Sequence, residues 1–241
     1  MIKLYGRTFP CRFGQELHMS LIGSRLLAVT RLLKDVQNNT LFADIGSDHA
    51  FLAIEVLKNR LAERAIASDI NELPLLKGKE NAARSGVAID FYLSDGFDSI
   101  DHLPITSAAI CGMGGELIAK IVARSAVCRN ATLILQPMSA QEDLRRFLWD
   151  NGFSIEREIF VYEAGKSYTV MLVSYSGKTT EYSYLDLYLG KERLPSREFS
   201  LYCKKILLSA VKRRLGIINR GEDTKNIDRL IDFCQTQTTN L

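Results

Sequence analysis

The chain has 241 residues, 46% of them hydrophobic and 24% charged, with a net charge of +3. This is ordinary globular composition, long enough to bury a sizeable core. No apolar run reaches the ~18 residues that a membrane span needs, and the N-terminus lacks a signal-peptide core. The five cysteines (Cys11, Cys111, Cys128, Cys203, Cys234) are scattered, odd in number and never at CxxC spacing. That pattern argues against a disulfide framework and against a zinc site. The expectation is a cytoplasmic protein with reduced thiols, no metal and no membrane partner.

Taken in order, residues 1–18 show no clean periodicity and read as an N-terminal extension, either a flexible arm or a start-site artefact preceding Met19. Leu21 to Leu33 reads as a helix, with Leu21, Arg25, Val29 and Leu32 on one side. Leu41 to Gly46 is an apolar strand ending in a loop, and Ala50 to Leu57 resumes helical spacing. Arg64 to Asp69 is a second strand, Leu75 to Ser85 a helix, and Ile89 to Leu93 a third strand leading into Ser94-Asp95-Gly96. Ser107 to Cys111 is a fourth strand that runs into Gly112-Met113-Gly114-Gly115, followed by a helix from Glu116 to Ala123. Ala131 to Leu135 is a fifth, ending in Gln136-Pro137. A helix from Glu142 to Asn151 is capped by Gly152, and Ser154 to Tyr162 and Tyr168 to Tyr175 form two closing strands. Such alternation predicts an α/β fold with a mostly parallel sheet and helices on both faces. Ligands bind beyond the carboxyl ends of such strands, where every unusual polar or glycine cluster of this chain lies.

From about Gly177 the pattern becomes helical. Pro195 would open a helix at its first turn, with Leu201, Leu208, Val211, Leu215 and Ile218 as its buried seam, and Ile227 to Phe233 would be a partner helix. This gives a division into an extension (1–18), a catalytic domain (19–177) and a helical hairpin (178–241). Charge follows it: residues 1–177 carry 19 Lys and Arg against 20 Asp and Glu, whereas residues 178–241 carry 12 against 8. Concentrated basic charge suits a polyanion, though a solvated helix face would look similar.

The first loop reads Asp44-Ile45-Gly46-Ser47-Asp48-His49. One glycine is too few for a pyrophosphate cradle, and the two acids would repel one. They suit a cation, such as a sulfonium carrying an amino-acid ammonium. Asp69, at the second strand's tip, can accept hydrogen bonds from ribose hydroxyls as in dinucleotide folds, or cap the next helix. Asp95 can meet an adenine amino group, with Gly96 giving the ring room, or belong to a plain β-turn. Three glycines in Gly112 to Gly115 cost folding entropy, which points to backbone lying against a ligand, with Met113 as a polarisable contact. Gln136-Pro137 would offer one amide to a base edge. His49 more simply hydrogen-bonds its own loop than acts as a base.

The runs ADIGSDHAFL (43–52), AIASDI (65–70), SDGF (94–97), CGMGGELI (111–118) and LILQP (133–137), with Pro74, Lys79-Glu80-Asn81-Ala82 and GKSYTVML (165–172), resemble the bacterial tRNA (adenine-22-N1)-methyltransferase family over residues 20 to 175. The resemblance implies a Rossmann-like class I methyltransferase fold of seven strands with a C-terminal helical hairpin, and S-adenosylmethionine as methyl donor to N1 of an adenine in the D-arm region of tRNA. It implies that Asp44, Gly46, Ser47, Asp48 and His49 surround the methionine part of the cofactor. Asp69 would hold the ribose, Asp95 and Gly96 the adenine, and Gly112 to Gly115 would border the target base, with Ile70, Gly112 and Met113 on the cofactor side. Read from their own chemistry, Gln136 and Pro137 would touch the substrate, and the tail's Lys204, Lys205, Lys212, Arg213 and Arg214 would hold tRNA phosphates. Met138 departs from the family's asparagine after Gln-Pro, Cys111 replaces a usual alanine, and the tail is short.

Adenine N1 carries an in-plane lone pair, so alignment matters more than a base, and a carboxylate near the developing ring cation would help. Asp48 is the first candidate for it and Asp44 the second. A monomer is expected. The rivals are a methyltransferase of another RNA base, small molecule or protein, a nicotinamide-dependent dehydrogenase, and an inactive RNA-binding module.

Overall fold

The computed structural model describes residues 3–4, 7–8 and 22–239. The expected N-terminal extension thus lies almost wholly outside the described residues, apart from a two-residue ribbon in which Lys3–Leu4 pairs antiparallel with Arg7–Thr8. Leu21, the expected helix start, is also outside them.

Seven strands form one sheet: β1 (Leu41–Ile45), β2 (Arg64–Asp69), β3 (Asp90–Leu93), β4 (Ser107–Gly114), β5 (Thr132–Ser139), β6 (Phe153–Glu163) and β7 (Lys166–Tyr175). Their spatial order is β3-β2-β1-β4-β5-β7-β6. The first five are parallel, and β7 and β6 close the sheet antiparallel. The order reverses between β1 and β4, so the crevice for a ligand opens at their carboxyl ends.

Strand β1 explains the layering. All five of its residues are buried, as a central parallel strand covered on both faces requires. Leu41, Ala43 and Ile45 face one layer, packing with Ile118, Ile121, Leu144 and Leu148. Phe42 faces the other, with Val29, Leu32, Leu52 and Val56. The first layer is built by α4 (Gly115–Arg124) and α5 (Gln141–Asp150), the second by α1 (Ser24–Leu33) and α2 (Phe51–Lys58). Helix α3 (Glu72–Ser85) covers β2 and β3 through Ala82, and Val87, just after it, packs there too.

The last part of the chain is α6 (Tyr184–Leu189), α7 (Arg197–Asn219) and α8 (Lys225–Thr238). Helix α6 starts in a reciprocal capping box between Ser183 and Asp186. Helix α7 is capped by Ser196, whose hydroxyl accepts from Phe199 N at 3.0 Å, so Pro195 precedes the cap and does not occupy the first turn. The expected hairpin is present, but its expected seam is reversed. Leu208, Val211, Leu215 and Ile218 are 45–64% exposed, while Phe199, Tyr202, Cys203, Ile206 and Ala210 are buried. Both stripes are apolar. The second wins because it meets an aromatic surface: Phe160 lies 5.0 and 4.8 Å from the Phe199 and Tyr202 rings, and Phe233 of α8 packs on the same side.

These helices are welded to the sheet. Trp149 of α5 and Ile155 and Phe160 of β6 share their core. Within it the Arg145 guanidinium, fully buried, binds Glu158 at 2.5 Å and donates to Leu187 O at 2.6 Å and Tyr202 Oη at 3.4 Å.

Candidate active site

The tips of β1, β2, β3 and β4 converge on one cleft of about 770 Å³, within the range of small-ligand sites. The eleven residues expected from sequence to meet the cofactor, from Asp44 to Met113, all line it.

Sharp backbone turns place them. Gly46 has φ +71°, and His49 and Ala50 follow at φ +66° and +57°, a left-handed region that L side chains adopt only at a cost. The loop is held by Gly46 N and Ser47 N, which both donate to Ser68 O at 2.8 and 2.9 Å, and by Asn81 Nδ2 donating to His49 O at 3.0 Å. A Cβ on Gly46 would collide with Met113 Cε. Glycine is therefore required at 46 both for its φ and for the passage of Met113.

Three carboxylates face the cleft from consecutive strand tips. Asp44 is buried and accepts from Ser47 Oγ at 2.7 Å. Burial raises its pKa to about 6, against the opposing pull of the Ser47 and Ala53 hydrogen bonds, and nearby Asp69 adds to the rise. Asp69 accepts from Asn71 N at 2.8 Å through one oxygen, so the other is available. Asp95 is held by Arg124, whose Nη1 and Nη2 reach its carboxylate at 3.2 Å and its carbonyl at 2.8 Å. Asp48 is different: its carboxylate is 77% exposed and lies 3.2 Å from His49 Nε2 at the rim.

The glycine-rich stretch continues β4 as a bulge. Its pairing with β5 shifts register on either side of Met113, and Gly112 sits at φ +78°, which turns Met113 toward Gly46. Behind it, Gln136 is fully buried. Its Oε1 accepts from Gly112 N at 3.0 Å and from Arg25 Nη1 at 2.6 Å. Gln136 and Pro137 thus stand behind the cleft wall, and neither lines the cavity. Gly114 and Gly115 do not line it either. A Cβ on Gly115 would lie 2.9 Å from Ser139 O and closer still to Ala140 O, so this glycine serves the packing of α4 against the β5–α5 loop.

The basic residues of α7 divide. Arg213 binds Glu142 at 3.0 Å and Arg214 binds Asp228 at 2.5 Å. Lys205 Nζ donates to Ser167 O at 3.2 Å. Lys204 and Lys212 are exposed, with no ion-pair partner among the described residues.

Arg25, Asn71 and Leu117, which the sequence does not mark as site residues, also line the cleft, as does Met138, marked there only as a departure from the family's asparagine. Arg25 had a signal: it is a charge within the otherwise apolar stripe of α1. Cys111 also lines the cleft, and burial with the adjacent Asp44 carboxylate pushes its thiol far above its ordinary pKa. That removes a thiolate nucleophile from consideration.

Residues 22–171 match the family profile described as Methyltransferase domain. A tRNA (adenine(22)-N(1))-methyltransferase of Bacillus subtilis is 31% identical over 159 residues, covering 64% of this chain and 67% of that protein. The chain belongs to the tRNA (adenine(22)-N(1))-methyltransferase family. In structure, this methyltransferase superposes on the B. subtilis m1A22 tRNA methyltransferase TrmK with a TM-score of 0.70, at 25% identity and over 91% of this chain and 96% of that one. A Streptococcus pneumoniae protein assigned as a tRNA (m1A22) methyltransferase, solved in complex with S-adenosyl-L-methionine, gives 0.73 at 27% identity, covering 90% and 100%.

The cleft's chemistry agrees with that cofactor. Its lining sets three aspartates on strand tips against one inward arginine, which favours a cationic ligand over a pyrophosphate.

Proposed function

We propose that this enzyme transfers the methyl group of S-adenosylmethionine to N1 of adenine 22 of tRNA, in the cytoplasm and as a monomer. The supporting observation is the convergence of Asp44, Asp69 and Asp95 with Gly112 and Met113 on a single cleft. Residues 19–177 would hold the cofactor and target base, and residues 178–241 would contribute to the grip on tRNA.

Bound S-adenosylmethionine supplies an electrophilic methyl on a sulfonium. Asp44 and the Gly46–Ser47 turn would orient its amino-acid end, and the Asp69 oxygen not used by Asn71 would accept from the ribose hydroxyls. Asp95, fixed by Arg124, would accept from the adenine amino group, with Ile70 and Gly96 bounding the ring. The target adenine has to leave its stack to reach the cleft. Its N1 lone pair needs no deprotonation, so the protein's work is alignment, worth roughly 7–11 kcal/mol. As positive charge develops on the ring, a carboxylate stabilises it. Asp44 lies deep in the cleft and Asp48 at its rim, so Asp44 rather than Asp48 would face the developing charge. Gln136 acts from behind, holding Gly112 and Arg25 in place.

The test is nucleoside mass spectrometry of an unmodified tRNA transcript incubated with enzyme and S-adenosylmethionine, beside a transcript with guanine at position 22. One 1-methyladenosine per tRNA, lost in the guanine transcript, is expected. Methylation of another base, or none, refutes the assignment.

A further inference from the structure

A second groove of about 520 Å³ lies between the β6–β7 turn and α7, lined in part by Met138, Tyr162, Lys166, Tyr168, Lys204 and Lys205. We propose that it seats a nucleotide adjoining the target adenine on the RNA strand, its base stacked on Tyr162 and its phosphate held by Lys166 and Lys204. This rests on the reading of the enzyme as an RNA methyltransferase.

Continuity with the cleft is the first argument. Met138 lines both cavities. Arg25, in the cleft wall, lies 5.5 Å over the ring of Tyr168, which lines the groove. A strand leaving the cleft over Met138 therefore enters the groove directly. Charge is the second. Three lysines and, among the described residues, no carboxylate line the groove, which is the electrostatic footprint of a phosphate backbone. Burial holds the Lys205 amine below its ordinary pKa, with Glu142 opposing that fall and Arg145 adding to it, and a phosphate in the groove would favour its charged form. Surface chemistry is the third. Tyr162 is 40% exposed, an aromatic face at the edge of a basic groove, the pairing by which proteins hold unstacked bases. Extruding one adenine breaks its stacking on its neighbours, and a platform beside the cleft offsets that loss. Gly165 in the turn carries φ +79° with open space around it, so the groove mouth is unobstructed there.

The experiment uses the full chain and an unmodified tRNA transcript at about 0.15 M salt, where long-range charge effects are screened beyond ~8 Å. Affinities for tRNA and, separately, for S-adenosylmethionine are measured for Tyr162→Ala, Tyr162→Phe, Lys166→Glu/Lys204→Glu and a control, Lys77→Glu, on the exposed side of α3. Expected are a roughly 5- to 150-fold rise in tRNA Kd for Tyr162→Ala, the range that base stacking supplies, and restoration by Tyr162→Phe. The double lysine variant should weaken tRNA at least about tenfold. Cofactor affinity should stay within about twofold throughout, and Lys77→Glu should bind tRNA like the parent. Unchanged tRNA binding by Tyr162→Ala and the lysine variant, in an enzyme whose parent methylates tRNA, overturns the groove alone. Sedimentation showing a parent dimer that the lysine variant splits would also overturn it, by making the groove a self-contact. A parent that neither binds nor methylates tRNA defeats the RNA reading, and the groove with it.

Discussion

Asp44→Asn separates what the cleft costs the fold from what it does for the ligand. An acid whose folded pKa is raised, here to about 6 from 3.8, favours folding only while protonated. Its stability contribution is present below pH 3.8 and is lost as pH rises toward and through 6. At 1.36 kcal/mol per unit the ionised, buried Asp44 costs the ligand-free enzyme about 3 kcal/mol at pH 7, of which about 1.3 kcal/mol accrues between pH 5 and 7. Asparagine keeps an acceptor for Ser47 and carries no charge. In urea unfolding, the stability of Asp44→Asn relative to the parent should therefore climb by about 1.3 kcal/mol from pH 5 to pH 7, with the other titrating groups cancelling in the difference. Cofactor binding should show the reverse face. A cation selects ionised Asp44, about a tenth of molecules at pH 5 and nine-tenths at pH 7, so parent affinity should rise roughly tenfold over that interval. The variant's affinity should be weaker and flat in pH. A stability difference constant with pH, or a parent affinity that ignores pH, would refute the placement of Asp44 as a buried charge awaiting a cation.

Other outcomes follow from the same geometry. Asp69→Ala should weaken S-adenosylmethionine by calorimetry about 10-fold or more while leaving the melting temperature within a few degrees, since among the described residues the Asp69 carboxylate is bonded only by the Asn71 amide. Gly115→Ala should destabilise the fold by about 1–3 kcal/mol, because Cβ would strike the Ser139 and Ala140 carbonyls. Its cofactor Kd should be unchanged where the protein remains folded. A chain ending at Gly177 should melt far below the full protein or fail to fold, because Trp149, Ile155 and Phe160 lose their cover. Equal melting temperatures would show the helical tail to be an independent unit.

Most of the sheet was legible because its strands are short apolar runs closed by turn residues. Arg64–Asp69 has the same bounds in sequence and in structure. Strands β4 and β5 run past their apolar stretches, to Gly114 and Ser139, because pairing continues through a glycine bulge that periodicity does not register. Helix α6 escaped notice as six residues held by a capping box. In the site, loop acids at strand tips were readable, since topology alone carries them to one crevice. Arg25 was marked only as a charge in an apolar helix stripe, because α1 precedes the first strand and tertiary packing alone brings it to Gln136. Gly114 and Gly115 show the converse limit. The entropy cost of glycine runs signals a close approach, but not whether the approaching group is a ligand or the chain's own backbone.

The reversed seam of α7 has the same origin and a functional consequence. A helix with two apolar stripes is oriented by what it meets, and here a buried polar group stands beside the aromatic surface that Phe199 and Tyr202 meet. Arg145 and Glu158 are buried together, an arrangement that adds little net stability but makes any unpaired member expensive. Their remaining hydrogen-bond positions are filled by Thr169, Leu187 O and Tyr202, and Tyr202 Oη in turn donates to Tyr188 O at 3.1 Å. Gly190 completes the enclosure, since a Cβ there would collide with Glu158. Only one rotation of α7 presents Tyr202 to Arg145. That rotation buries Phe199, Cys203 and Ile206 and leaves Lys204 and Leu208 on the groove beside the cleft. The buried ion pair thereby sets the register between the catalytic sheet and the surface proposed to carry RNA, a role that its net energy alone would not reveal.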